Sequence, residues 1–194
     1  RSTQGYSSAA SDVYKRQFEP FEYVDGDSYK GIDMELASLL AQELGKELVI
    51  ENMDFDAVCL SVGQHKCDIA MAGLTINEER EEYVTFSDPY YKASQRLVTL
   101  AGDTTFDDCK DAASVEEILK GLSASDKIGG QQGTTAQYFI EGSDDWGFEG
   151  FPAEWVPYKS ASLAVQDMIN GNLKYVLIDA APAASITKAI NAMQ

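Results

Sequence analysis

The sequence predicts an α/β protein built as two lobes. Three observations carry that expectation. Short apolar runs of strand length alternate with amphipathic stretches of helix length, the rhythm of a mostly parallel sheet covered by helices. The rhythm runs from about residue 18 into the 90s, breaks, and restarts after a stretch rich in Asp and Thr that begins at Gly102. The 194 residues suffice for two small lobes, each with its own core.

The first half reads as follows. Residues 18–23 (FEPFEY) form the end of a strand turning into a loop, because Pro20 and Gly26 punctuate them. Residues 31–44 form a helix, with Asp33 as N-cap, Leu36, Leu40 and Leu44 at i+4 spacing, and Gly45 just past its end. Residues 47–52 (ELVIEN) are a strand, residues 55–62 a second helix stopped at Gly63, and residues 67–72 (CDIAMA) a buried strand. Residues 78–83 make a polar helical turn, and 83–91 leave it extended.

Residues 95–100 are a strand, and the boundary between lobes falls near 93–100. The second half then alternates helix 115–122, strand 127–130, a helix opened by Gly133, Thr134 and Thr135 that runs to about 140, and a Gly/Asp loop over 141–151. Strand 154–158, helix 160–170 and strand 175–179 follow, and residues 180–193 begin as a loop at Pro182 before turning helical. The expected division is 18–96 for lobe 1 and 97–194 for lobe 2 with the start of a return crossover, residues 1–17 standing apart.

Charge and motifs exclude several functions. A net charge of −17 repels nucleic acid and anionic membranes, and no basic stripe offsets it. No stretch approaches the roughly 20 apolar residues that span a bilayer. Residues 1–17 are polar and rich in Ser and Ala, without the apolar run of a secretory signal, so either the signal was removed or the true N-terminus lies elsewhere. Cys59, Cys67 and Cys109 are odd in number and define no closed disulfide framework; Cys59 and Cys67 either pair or pack as small hydrophobes. Neither G-x-S-x-G nor H-E-x-x-H occurs, and His65, the single histidine, sits in a polar turn. Gly129, Gly130 and Gly133 lack the Lys-Ser/Thr of a phosphate loop.

Three segments carry ligand chemistry. Ala72-Gly73-Leu74-Thr75 leaves a buried strand, and Arg80 follows with a planar fork suited to a carboxylate. Gly73 lets a ligand approach the backbone, and Thr75 offers a hydroxyl. Gly133-Thr134-Thr135 presents N–H groups at a helix start, which favours an anion. Asp179 ends an apolar strand, where open α/β sheets place binding groups. Taken singly, Arg80 could pair with its glutamate neighbours, and Thr134 or Asp179 could simply cap a helix. A cation-seeking Asp with an anion-seeking Arg would fit a zwitterion.

The segments FEPFEYVDGDSYKGIDMELASLLAQELGK, CDIAMAGLTINEEREEYVTFSDPYY, KIGGQQGTTAQ and YVLIDAAPA resemble the extracellular amino-acid-binding proteins of ABC importers, solute-binding protein family 3. The resemblance covers residue 18 to about 191, and the second segment is the most specific. It implies a two-lobe, type II periplasmic-binding-protein-like α/β fold with the ligand in the interlobe cleft. It further implies that Arg80 clamps the ligand carboxylate with Thr75 and the Gly73 backbone, helped by Thr135 and Thr134, while Asp179 receives the ammonium. Phe18 matches an aromatic that packs on the ligand side chain; Phe55 and Gln131 match pocket-lining positions, and Ala72 adjoins them. Residues 11–17 (SDVYKRQ) depart from the family's first strand, and the family's C-terminal return to lobe 1 is not found before Gln194.

The expected function is therefore an extracytoplasmic solute-binding protein, periplasmic or a cell-surface lipoprotein, that captures a free amino acid and delivers it to the permease subunits of an ABC importer. It is expected to be a monomer, to need no cofactor or metal, to bind no nucleic acid and to catalyse no reaction. Two alternatives share the fold: a sensor module of a receptor, and an enzyme resembling cyclohexadienyl dehydratase, which would need a general acid over a ring. The scarcity of cations leans the ligand toward a neutral polar or basic amino acid.

Overall fold

A computed structural model of the chain describes residues 18–193. The segment 1–17, expected to match the family poorly, lies outside the described residues. The chain enters through a tight turn in which Phe18 bridges Glu22 and the Glu19–Pro20 peptide is cis. A hairpin that periodicity alone missed comes next: β1 (Tyr23–Asp25) pairs antiparallel with β2 (Ser28–Lys30). Gly26 turns it with φ +62°.

Helix α1 (Ile32–Glu43) docks its first turn on that entry. Ile32 N donates to Pro20 O and Asp33 N to Phe21 O, both at 3.0 Å. A Cβ on Gly31 would stand 2.2 Å from Phe21 O, so only glycine fits there. The N-cap is therefore Gly31, which corrects the expectation for Asp33. Asp33 instead lies wholly inside the protein, where its carboxylate accepts from Gly73 N at 3.1 Å and from the Tyr90 hydroxyl at 2.7 Å. A buried charge held by two donors ties the helix to two distant segments.

A 3₁₀ turn, Phe55–Ala57, leads into α2 (Val58–Gly63), and α3 (Glu78–Glu81) follows. The two strands expected between these helices do not form. Among the described residues, 47–52 and 67–72 are not paired into a ladder. They flank a cavity of about 640 Å³, which is also lined by Met34, Ala37 and Leu40 of α1 and by Leu44 just past its end. A strand exists only through its neighbour's hydrogen bonds, and neither segment has a ladder partner among the described residues. The parallel sheet expected for the first half is thus replaced by the β1–β2 hairpin.

The second half builds the expected sheet. Strands β3 (Gln95–Val98), β4 (Lys127–Gln131), β5 (Glu154–Tyr158) and β6 (Tyr175–Asp179) lie in the order β3-β6-β4-β5. β4 runs parallel to β5 and β6, and β3 pairs antiparallel with β6, placing Gln95 opposite Asp179. All of β3 belongs to this sheet, so the expected division at residues 96 and 97 falls inside a strand.

Alternation along β6 splits the core. Val176 and Ile178 face α6 (Ala161–Ile169) and α7 (Ala180–Asn191), packing with Val165, Met168 and Ile186. Tyr175 and Leu177 face the other way, onto Leu119 of α4 (Ala112–Lys120) and Ile140 of α5 (Thr135–Glu141). Helix α7 starts at Ala180 rather than after a loop. Pro182 is accepted because N–H groups in the first turn have no helical partner. Cys59, Cys67 and Cys109 are all free thiols.

Candidate ligand-binding cleft

Nine of the ten expected site residues line one small chamber between the halves: Phe18, Phe55, Gly73, Thr75 and Arg80 from the first, Gln131, Thr134, Thr135 and Asp179 from the second. Ala72 is the exception. It is buried, lines the larger cavity, and lines no part of the chamber. The sequence reading missed three other lining residues, Gln95, Ala136 and Ile178. The strand register identifies Gln95, since it faces Asp179 across the β3–β6 ladder.

Arg80 enters the chamber from α3. Asn77 caps that turn, its side chain accepting from Arg80 N at 3.1 Å. The guanidinium then donates to Thr75 O at 2.7 Å and to Gly133 O at 3.0 Å, so one side chain joins both halves. Aromatic rings of Phe55 and Trp146 each lie 5.5 Å from its central carbon. Among the described residues no carboxylate forms an ion pair with it. Burial accordingly lowers its pKa, an effect opposed by Cys59, Tyr138 and Glu79.

Gly73 turns with φ +57°, and a Cβ there would come 3.1 Å from the Phe18 ring, so backbone and aromatic meet without a side chain between them. Across the cleft, the Thr135 hydroxyl donates to Thr75 Oγ1 at 3.4 Å. Thr134 caps α5 without a side-chain cap bond, its hydroxyl donating back to Gln131 O at 2.7 Å. At seven residues α5 has under two turns and a small dipole, so the chamber's main positive charge is the Arg80 guanidinium.

Asp179 supplies the negative end. Burial raises its pKa, and a hydrogen bond from Gln95 Nε2 partly offsets this. Two amide oxygens, Gln95 Oε1 and Gln131 Oε1, are buried with no donor among the described residues. The chamber thus holds a cation that forms no ion pair, a carboxylate and two acceptors without a donor, among the described residues. That arrangement suits a small dipolar guest. Its volume of about 20 Å³ holds roughly one water, so anything larger must part the halves to enter.

The chain matches, over residues 13–189, the model of the bacterial extracellular solute-binding proteins, family 3. It belongs to that family. It is 34% identical, over 84% of its own length and 60% of the relative's, to the putative ABC transporter arginine-binding protein 2 of Escherichia coli. Identity to the arginine-binding extracellular protein ArtP of Bacillus subtilis is 33%, over 68% of this chain and 48% of that one. The chain therefore spans about half to three fifths of these relatives. Among solved structures, holo ArgBP from T. maritima superposes with a TM-score of 0.72 at 30% identity, covering 91% of this chain and 71% of that one. The two-lobe fold of the family is the fold of this chain, and the chamber lies between its lobes. One relative is an enzyme: the cyclohexadienyl dehydratase of Pseudomonas aeruginosa is 32% identical, over 44% of this chain and 32% of its own length.

Proposed function

We propose that this chain captures a free amino acid with a basic side chain, as the extracytoplasmic receptor of an ABC importer. One observation carries the reading: Arg80, a half-buried cation with no carboxylate ion pair among the described residues, shares a chamber with Asp179. Arg80, Thr75 and Thr135 hold the ligand carboxylate. Asp179, oriented by Gln95, receives the ammonium with the amide oxygen of Gln131. Phe18 and Phe55 flank the ligand side chain. The arginine- and histidine-binding names of several relatives support a cationic ligand, and the net charge of −17 favours its approach.

Lobe 1 runs from residue 18 to just before β3, and lobe 2 takes the remainder. A ligand that touches both lobes binds the closed form better than the open one and shifts the population toward closure. The hinge lies at residues 93–95, where Ala180 N donates to Ser94 O at 2.7 Å. The receptor works as a monomer beside permease subunits.

Calorimetry against the twenty amino acids tests the reading. Arginine, lysine or histidine should bind most tightly; no heat with any amino acid would overturn it. The partial match to a dehydratase supports one competing reading. Incubation with prephenate or arogenate decides between them, since product formation would make the cleft catalytic.

A further inference from the structure

We infer that Trp146 is a cross-lobe latch that closes on Arg80 and holds its fork toward the ligand. Trp146 sits in the loop that the sequence reading left as a Gly/Asp connection, and it lines neither the chamber nor the larger cavity. The loop is nonetheless built. Ser143 and Phe148 exchange two backbone hydrogen bonds of 2.9 Å, and Gly147, at φ +66°, turns the chain after Trp146. The indole stacks on Tyr138 with centroids 5.3 Å apart and an interplanar angle of 14°. Phe148 lies beside it at 6.2 Å and 17°. This short pile of rings stands on α5 and presents the indole to the first lobe.

The indole meets the Arg80 guanidinium, 5.5 Å from its carbon, and Phe55 meets the same group at the same distance. Phe55 and Arg80 belong to one lobe and Trp146 to the other. The Phe55 contact therefore survives opening, whereas the Trp146 contact exists only when the lobes are together. A cation over an indole is the strongest of the ring pairings, and it gains strength where water is excluded. Arg80 has no carboxylate partner among the described residues, so the ring supplies compensation without occupying an N–H, and the N–H groups not already given to Thr75 O and Gly133 O are left for a ligand anion. Trp146 acts through Arg80 and is a positioning residue.

The latch predicts a kinetic signature, because a contact made only on closure slows release more than it speeds capture. With L-arginine as the probe in stopped flow, Trp146→Ala should raise the dissociation rate about tenfold and change association less than twofold. Trp146→Phe, which keeps a weaker ring, should fall between. Unchanged dissociation in Trp146→Ala would overturn the inference. The direction of that ligand effect rests on the amino-acid reading, so a second arm omits ligand and holds the lobes together with a Thr75→Cys/Thr135→Cys disulfide, at a pair whose hydroxyl oxygens lie 3.4 Å apart across the cleft. Trp155, the other tryptophan, is 7% exposed in the lobe 2 core, and its emission can be subtracted with the Trp146→Phe protein. Arg80→Ala should then make Trp146 at least twice as quenchable by acrylamide, and Arg80→Lys less so. If quenching is equal in all three, the latch is wrong even where amino-acid binding is right. If none of L-arginine, L-lysine and L-histidine binds but quenching changes as stated, the latch stands and the ligand assignment falls. Should Trp146→Ala fail to fold, the quenching arm decides alone.

Discussion

The two lobes carry the same alternation of apolar strands and helices, yet only lobe 2 closes it into a four-stranded ladder. In lobe 2, each apolar strand finds a neighbour, and Ile128, Val176 and Ile140 reach complete burial. In lobe 1, residues 47–52 and 67–72 are also partly apolar but line a cavity without a ladder partner among the described residues, and Val49 is left 71% exposed. An apolar run is a demand for partners. The partners decide whether that demand becomes a strand. Lobe 1 keeps its shape by other means: the buried Asp33 carboxylate, the Phe18–Phe21–Tyr91 ring contacts, and the turn that receives α1. These polar and aromatic ties lie in the same lobe as Phe18, Gly73 and Arg80, so the lobe 1 wall of the chamber is tied down without a laddered sheet behind it.

Hydrogen exchange should expose this contrast most strongly. Amides of residues 48–52 and 68–72 should exchange on the order of a thousandfold faster than those of β4 and β6, because unpaired amides exchange without unfolding. Equal protection would mean that the lobe 1 segments are laddered after all.

Ligand binding should depend on lobe 1 chemistry despite its loose sheet. Arg80→Ala should weaken binding of the cognate amino acid by about 2–5 kcal/mol, as expected when one partner of a buried charge pair is removed. Asp179→Asn should weaken it as well, with the fold intact. Calorimetry showing wild-type affinity in either variant removes that residue from the site.

Core truncation should separate the lobes again in urea unfolding. Ile128→Ala, at a site with no exposure, should cost about 2–5 kcal/mol, whereas Leu44→Ala, where 59% of the residue is exposed, should cost under about 1 kcal/mol. Similar costs would contradict the picture of one packed and one open lobe.

The last contrast concerns pH and Glu22, which lines the larger cavity. Burial and then the nearby Asp33 push its pKa up to about 9 from 4.5, and its Oε2 has no partner among the described residues. A raised folded pKa favours the protonated form, so its stability contribution is full below 4.5 and lost as pH rises through about 9. Across that window the melting temperature of the native chain should fall relative to Glu22→Gln, which cannot ionise. Parallel melting curves for the two proteins would show that Glu22 is solvated.

Much of the site was legible in the sequence because its residues stand at element ends marked by local signals. Gly73 and Gly133 need positive φ, Arg80 follows a capped turn, and Asp179 ends an apolar strand. Such signals depend on a few adjacent residues and survive whatever the distant chain does. Gln95, Ile178 and Trp146 carried no such mark. Gln95 matters through its register against Asp179, and Trp146 through a ring stack that delivers it to the opposite lobe.

The sequence by itself therefore determined the α/β class, the helices, the lobe 2 strands and the ionic ends of the cleft, since periodicity, capping and charge are local properties. Only the tertiary structure decided that Asp33 is a buried tie rather than a cap, and that Ala72 turns away from the chamber. It also decided that two strand-like segments stay unpaired. Each of these depends on which groups from remote parts of the chain come within hydrogen-bonding or packing distance, and no local pattern encodes that.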